Sequence, residues 1–358
     1  MNVTLNLDQM NNRNFELDIL RGLTIALMIV VDAPPDVIYE TLQHAAWEGL
    51  NLADLVFPGF VFAMGASATF AGARRQPSVQ KIFRRAVLLF IAGFLFNVLI
   101  FFCYSQEHIR FFGVLQRLAL TYFFGMLILL KLKNTAQITA AAFLLLVISS
   151  AGFHIYAPSA PFAEIRNISG ATDYIFPGVN YIYTPTHDPE GLYGTLASTA
   201  SMLFGIVAGK FLLKNELWKI LLYGAGILIS GYVWSFFDIV AKKIWTAPFA
   251  LLTSGMAMLV LVALGLLFKN LPRAKKYFRL FDSLGRNPLL FFMASNVSLI
   301  LLWTIKISNV PIFFLIYQKI FQGFISGEFG TLTFCAVWCL IWMIPAEILN
   351  RRGIFIRF

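Results

Sequence analysis

Six ionisable side chains stand where an apolar chain has least reason to keep them: Asp32, His44, Asp54, Arg117, Asp188 and Glu190. Placing a charge at membrane depth is costly, so a convergent group of charges points to a polar cavity for reaction or transport. His44 is the side chain best suited to moving protons near neutral pH. A carboxylate beside it, Asp32 or Asp54, could orient the ring and stabilise imidazolium, as in base-assisted acyl transfer. Each residue also has a plainer reading: His44 could cap a helix or bond a loop carbonyl, and Asp54 with Arg117 could be a structural ion pair. The remaining histidines are weaker candidates. His108 and His154 stand alone near helix ends, and His187 belongs to a loop turn.

The elements that must position these groups are membrane helices. Of 358 residues 59% are hydrophobic and 13% charged, against roughly 25% charged in a soluble domain. Apolar runs repeatedly approach the ~20 residues that cross a bilayer, and their continuous rather than alternating apolarity selects helices over a barrel. The expected fold is therefore an all-α polytopic membrane protein forming a single domain over 1–358. Ten spans are expected, at 18–33, 53–72, 83–102, 112–130, 135–153, 190–210, 217–236, 246–268, 287–304 and 330–350. The apolar stretch 311–324 is short and holds Lys319, so an interfacial or re-entrant helix is expected there.

Short cytoplasmic loops collect Lys and Arg. The segment 73–85 holds Arg74, Arg75, Lys81, Arg84 and Arg85, and 269–286 holds six basic residues, so both are expected inside. The loop 33–52 has no Lys or Arg, and the long loop 154–189 has only Arg166, so both are expected outside. The tail with Arg351, Arg352 and Arg357 then falls inside, and with ten spans both termini are cytoplasmic. Lys242 and Lys243 fall on the outer side and break the pattern. The net charge of +10 is accounted for by topology and anionic lipid, without a nucleic-acid partner. Cys103, Cys335 and Cys339 form neither a disulfide framework nor a CxxC metal site. The polar start lacks the basic and apolar regions of a cleavable signal, so the first span is expected to act as its own insertion signal. Glycines in GASATFAGARR follow no strand and read as helix packing rather than a phosphate loop. Small residues in GTLASTASMLFGIVAG suit close helix contact.

The blocks LDILRGLTIALMIVV, HAAWEGLNLADLVFPGFVFAMG, RFFGVLQRLALTYFFG, DPEGLYGTLASTASMLFGIVAGK and GRNPLLFF, in that order, resemble the transmembrane heparan-alpha-glucosaminide N-acetyltransferase family, most closely its short bacterial NagX-type members. The resemblance runs from about Leu17 to the end of the chain. It implies transfer of acetyl from cytosolic acetyl-CoA to the amino group of a glucosamine across the membrane. The family's essential histidine matches His44, with Trp47 and Gly49 in place; its Q-R pair matches Gln116 and Arg117, and its D-P-E-G block matches Asp188, Pro189, Glu190 and Gly191. Asp32 stands where the family often has asparagine, and an aspartate there could pair with imidazolium. In the ninth span Ser295 and Asn296 replace a His-Glu pair of some relatives, so no role passes to that position.

On this reading His44, Asp32 and Asp54 are the expected catalytic group, with His44 either general base or acetyl carrier. Trp47, Glu48, Gln116, Arg117, Asp188 and Glu190 are expected at the amino sugar, with Arg117 either paired to Asp54 or facing a developing oxyanion. Arg21, Arg74, Arg75, Arg84, Lys210, Arg286 and Asn287 are expected at the phosphates of CoA. No metal is expected. Without the large luminal extension of the animal enzymes, a small amino sugar and a bacterial inner membrane are expected, and relatives imply a homodimer. The competing functions are a proton-coupled amino-sugar transporter, in which His44, Asp32 and Asp54 would relay protons, and an acyltransferase with a different acceptor.

Overall fold

The computed structural model describes residues 14–74, 77–322, 325 and 327–356. The helices are α1 (Phe15–Asp32), α2 (Val56–Arg74), α3 (Val79–Tyr104), α4 (Val114–Lys131), α5 (Thr135–Tyr156), the short α6 (Ile168–Ile175), α7 (Thr195–Leu213), α8 (Leu217–Trp234), α9 (Ala247–Asn270), α10 (Arg279–Arg286), α11 (Pro288–Thr304), α12 (Ile312–Tyr317) and α13 (Gly327–Arg351). A two-stranded hairpin pairs Lys306–Ile307 with Val310–Pro311.

Among the described residues eight helices are long and apolar enough to cross a membrane, or nine if a bent pair counts as one span. The expected ten are corrected to this number. A helix stands at each expected place, but α1 carries Glu16, Asp18, Arg21 and Asp32 within its 18 residues, too many charges for contact with lipid. It lies instead against α2, α9, α10, α11 and α13, and Asp18 pairs with Arg21. The bent pair is Pro272–Arg286 with Pro288–Thr304, turning by 80°. Its cause is local, because Asn287 precedes Pro288 and is pushed out of helical geometry, at φ −128° and ψ 52°. The apolar helix Ile312–Gln322 is too short to span, and Phe313 and Tyr317 pack on Ala33, Ile38 and Phe334.

α7 is the centre of the bundle and is buried over nearly its whole length. Its small residues let α2 approach to backbone contact: a Cβ added at Gly205 would lie 2.0 Å from the carbonyl oxygen of Phe62, and one at Gly65 would lie 2.0 Å from that of Met202. The loops gather at two ends. At one, Gly49 N–H donates to Val240 O (2.8 Å), Phe111 N–H to Tyr181 O (2.8 Å) and Trp47 Nε1 to Phe162 O (2.9 Å), tying together the segments after α1, α3, α5 and α8. At the other, Lys210 Nζ donates to Lys133 O (2.8 Å) and Asn287 Nδ2 to Ile354 O (3.0 Å). The first is the end with few basic residues outside its ion pairs; the second is the basic end. The chain termini, with Arg357, lie outside the described residues.

Candidate functional site

Asp54 is anchored before it meets His44. The turn Leu52–Leu55 leads into α2, and its N-terminal geometry makes Asn51 and Asp54 reciprocal partners: Asp54 N–H donates to Asn51 O, and Asn51 N–H donates to Asp54 Oδ2, both at 3.0 Å. Ala45 N–H donates to the same Oδ2 at 3.1 Å. The other oxygen, Oδ1, lies 2.9 Å from His44 Nδ1. Asp54 is fully buried while about half of the His44 ring is open. The tautomer that satisfies Asp54 carries the proton on Nδ1 and leaves the lone pair on Nε2.

Lys242 closes the group. Its Nζ is 2.9 Å from His44 Nδ1, 3.2 Å from Nε2 and 3.5 Å from Asp54 Oδ1. Burial lowers its ammonium from the usual lysine value, and the carboxylates of Asp54, Glu190 and Asp32 oppose that lowering. Asp32, at the end of α1, accepts a 3.4 Å hydrogen bond from Asn296 Nδ2, so the position where the His-Glu pair is absent still reaches the site.

A second knot lies alongside. Arg110 Nε and Nη2 donate to Asp188 Oδ2 (2.9 Å) and Oδ1 (2.5 Å), and Nη2 also donates to Glu190. Its guanidinium stacks 4.5 Å from the Tyr183 ring. Burial disfavours the Arg110 charge, but Glu190 and Asp188 outweigh it and raise the group above the ordinary arginine value. Asp188 also accepts from the N–H groups of Tyr183 and Glu190, so its carboxylate is saturated. Arg117, fully buried, donates to the carbonyls of Pro189 (3.2 Å) and Gly191 (2.6 Å) and lies 5.5 Å from the Trp245 ring. The expected alternative of an Arg117–Asp54 pair is thus not what forms; Lys242 takes that place beside Asp54.

Beneath this loop Asp173 Oδ2 accepts from Asp188 N–H (2.9 Å) and Oδ1 from Leu192 N–H (3.3 Å). Burial pushes the Asp173 carboxyl up to about 7 from its usual 3.8. The folded chain therefore holds that proton more tightly than the unfolded chain. The associated stability is complete below about pH 4 and is lost as pH rises to about 7, by up to ~4 kcal/mol. In Asp173→Asn this loss is expected to vanish, so thermal unfolding between pH 5 and pH 8 should show a smaller fall in midpoint than in the unaltered protein. An equal fall would rule out Asp173 as its source.

At the basic end a cavity of about 370 Å³ is lined by Arg21, Arg85, Arg286, Ser67, Phe60 and Phe355 among others. The buried Nε atoms of Arg85 and Arg286 have no acceptor among the described residues, which suits an anionic occupant. Lys210 lines a different cavity, of about 490 Å³, with Lys133 and Lys214. Arg84 is exposed and lines neither cavity. Asn287 is spent on the chain end, donating to Ile354 O and accepting from Ile356 N–H. Arg75 and the Arg74 side chain lie outside the described residues. No cluster that could hold a metal ion is found among the described residues.

Residues 13–223 match the sequence profile of the family described as heparan-alpha-glucosaminide N-acetyltransferase, catalytic. The chain belongs to that family. It is similar to the heparan-alpha-glucosaminide N-acetyltransferases of Homo sapiens, 29% identical over 254 residues, and Mus musculus, 27% identical over 258 residues. These alignments cover 55% and 56% of this chain but 38% and 39% of the relatives, so the chain spans well under half of their length. Both relatives are mammalian and do not carry the expected NagX-type subgroup or bacterial membrane. The family match contains Asp32, His44, Asp54, Arg117, Asp188 and Glu190 and stops short of Lys242, Arg286 and Asn296.

Within this N-acetyltransferase family fold the structure brings His44, Asp54 and Asp32 together. It gives Trp47 a packing role, donating to Phe162 O and meeting the His187 ring edge-on at 5.1 Å. Gln116 Nε2 donates to Phe111 O and braces the turn that presents Arg110, while Glu48 is exposed. Sequence reasoning passed over Arg110 and Lys242. Lys242 had left a signal, as the basic residue on the wrong side, and its neutralisation by Asp54 explains the exception. The expectation that His154 stands alone is corrected: its Nε2 lies 2.8 Å from Asp238 Oδ1, and Ser150 Oγ (2.5 Å) and Trp234 Nε1 (3.0 Å) donate to Oδ2 of that buried carboxylate.

Proposed function

We propose that this chain is a transmembrane acetyltransferase that takes acetyl from acetyl-CoA at the basic, cytoplasmic end of the bundle. It would deliver that group to the amino group of glucosamine or a related terminal amino sugar at the opposite, outer end. Family membership supports the reaction class, and the asymmetry of basic residues supports the sides. One observation carries the reading: α2 lines the arginine-rich cavity, and the turn that leads into the same helix holds Asp54 against His44. The cavity's lining along α2 ends at Phe60, six positions beyond Asp54, or roughly 9 Å along a helix axis.

The chemistry assigned to the chain follows from the geometry. Attack by an amine requires a neutral nitrogen, and His44 Nε2 is the lone pair placed to accept its proton. The same atom could instead carry the acetyl group between donor and acceptor. Asp54 holds the ring by Nδ1 and balances the positive charge on either route. Glu190, partly open beside Arg110, is the carboxylate placed to meet a sugar hydroxyl or ammonium. Asp188 and Arg117 hold the loop that presents it. Arg21, Arg85 and Arg286 supply donors for the phosphates of CoA.

The test is transfer of labelled acetyl from acetyl-CoA to glucosamine by the detergent-purified chain, with N-acetylglucosamine as the expected product. Binding of acetyl-CoA without transfer to glucosamine would sink the acceptor assignment. Neither binding nor transfer would return the proton-coupled carrier to first place.

A further inference from the structure

An enzyme that acetylates primary amines beside a histidine has placed a primary amine of its own beside that histidine. Lys242 Nζ is within 3.2 Å of both ring nitrogens of His44. No other lysine–histidine contact is found among the described residues. Lysine has donors only, so Lys242 can give a hydrogen bond to Asp54 Oδ1, 3.5 Å away, while its Nζ rests against the imidazole within 3.2 Å of Nε2, the nitrogen assigned to the acceptor. Lys242 therefore stands where the acceptor's ammonium must arrive. Four groups face it or His44: Asp54 from the turn before α2, Asp32 from α1, Glu190 from the loop before α7, and the imidazole itself. The loop that carries Lys242 is held in place by the residues that lead into it. Gly49 N–H donates to Val240 O, and His154 with Ser150 holds Asp238.

We propose that Lys242 Nζ is a second acceptor for the acetyl group, so that the protein acetylates itself at Lys242 when the sugar amine is absent. The inference rests on the acetyl-CoA reading above. In the step, Nζ gives a proton to His44 and its lone pair attacks the thioester carbonyl carbon. The C–N bond forms, the C–S bond breaks, the thiol leaves with the proton returned from His44, and the second proton that the ammonium sheds in becoming an amide passes to water. No redox partner is needed. The product is a neutral amide beside Asp54, Asp32 and Glu190. It removes the cation that partners Asp54 and fills the acceptor's place, so the modified site is closed to further turnover.

The experiment incubates the full chain in detergent with acetyl-CoA alone or with glucosamine, then reads acetylation by peptide and intact mass. Expected is modification at Lys242 at least about tenfold faster than at its neighbour Lys243, as proximity to the reacting centre requires. Glucosamine should suppress it and His44→Ala should abolish it. Lys242→Arg keeps a cation and removes the acylatable amine, and should lose one adduct in intact mass even if turnover changes. Lys242 left unmodified while glucosamine is acetylated overturns this inference alone. Modification no faster than at Lys243, or persisting in His44→Ala, also overturns it. If neither amine gains label, the inference and the acetyl-CoA reading fall together; Lys242 labelled without glucosamine upholds the inference and rejects that sugar.

Discussion

His44→Ala is expected to lower acetyl transfer by about 10²–10⁴-fold while leaving the fold intact. The magnitude is that of a positioned general base, and a covalent carrier would give a loss at the upper end or beyond. Retained folding follows from the contacts: the ring is half open, and its polar partners are Asp54 and Lys242. Removing it leaves Asp54 still accepting from Ala45 and Asn51 and within 3.5 Å of the Lys242 ammonium, so no buried charge is stranded. Transfer rates should therefore be compared with thermal unfolding midpoints of the same preparations. Full activity in a folded His44→Ala protein would remove His44 from the chemistry and with it the central claim.

Arg110→Ala should act through stability. It strips the guanidinium from Asp188, fully buried, and from Glu190, leaving two carboxylates close together without their counter-charge. Breaking one side of a buried pair costs about 3–5 kcal/mol, and Asp173 close beneath adds a third acidic group. Arg117 is the nearest replacement, but its Nη2 is held by the Pro189 and Gly191 carbonyls and it donates to neither carboxylate. The expected result is a large fall in unfolding midpoint, with transfer lost because the loop carrying Glu190 is no longer held. Arg110→Lys, which restores charge without the forked geometry, should recover part of the stability. An unchanged midpoint in Arg110→Ala would mean that the pair is solvated and energetically idle.

The helices were legible because continuous apolar runs have one solution in lipid. α1 was misjudged as a span because its apolar centre draws the eye from four flanking charges, of which Asp18 and Arg21 pair within the helix and Asp32 is met by Asn296 of α11. His44, Asp54 and Asp32 were legible because a titratable group beside an apolar run is costly and therefore informative. Their assembly was not: the Asp54 partner comes from Lys242, 188 positions away in sequence, and no local pattern encodes such a pairing. The same limit explains Arg110, whose partners lie 78 and 80 positions on, and His154, whose carboxylate arrives from the far end of α8. Spacing reveals which side chains are expensive, while the bundle decides which of them meet.

The seating of α1 has a consequence for biosynthesis. This helix leaves the ribosome before most of the helices it packs against, for its neighbours α10, α11 and α13 begin only at Arg279, Pro288 and Gly327. About 250 residues separate the end of α1 from the start of α10, a delay of roughly 10–50 s at ordinary elongation rates. Through that interval four charged residues of a nascent chain have no completed protein wall to face. Asp32 cannot meet Asn296 until α11 has been made. Protease protection of α1 on stalled ribosomes should accordingly develop only after α13 has been made; protection before α10 emerges would show that α1 seats on its own.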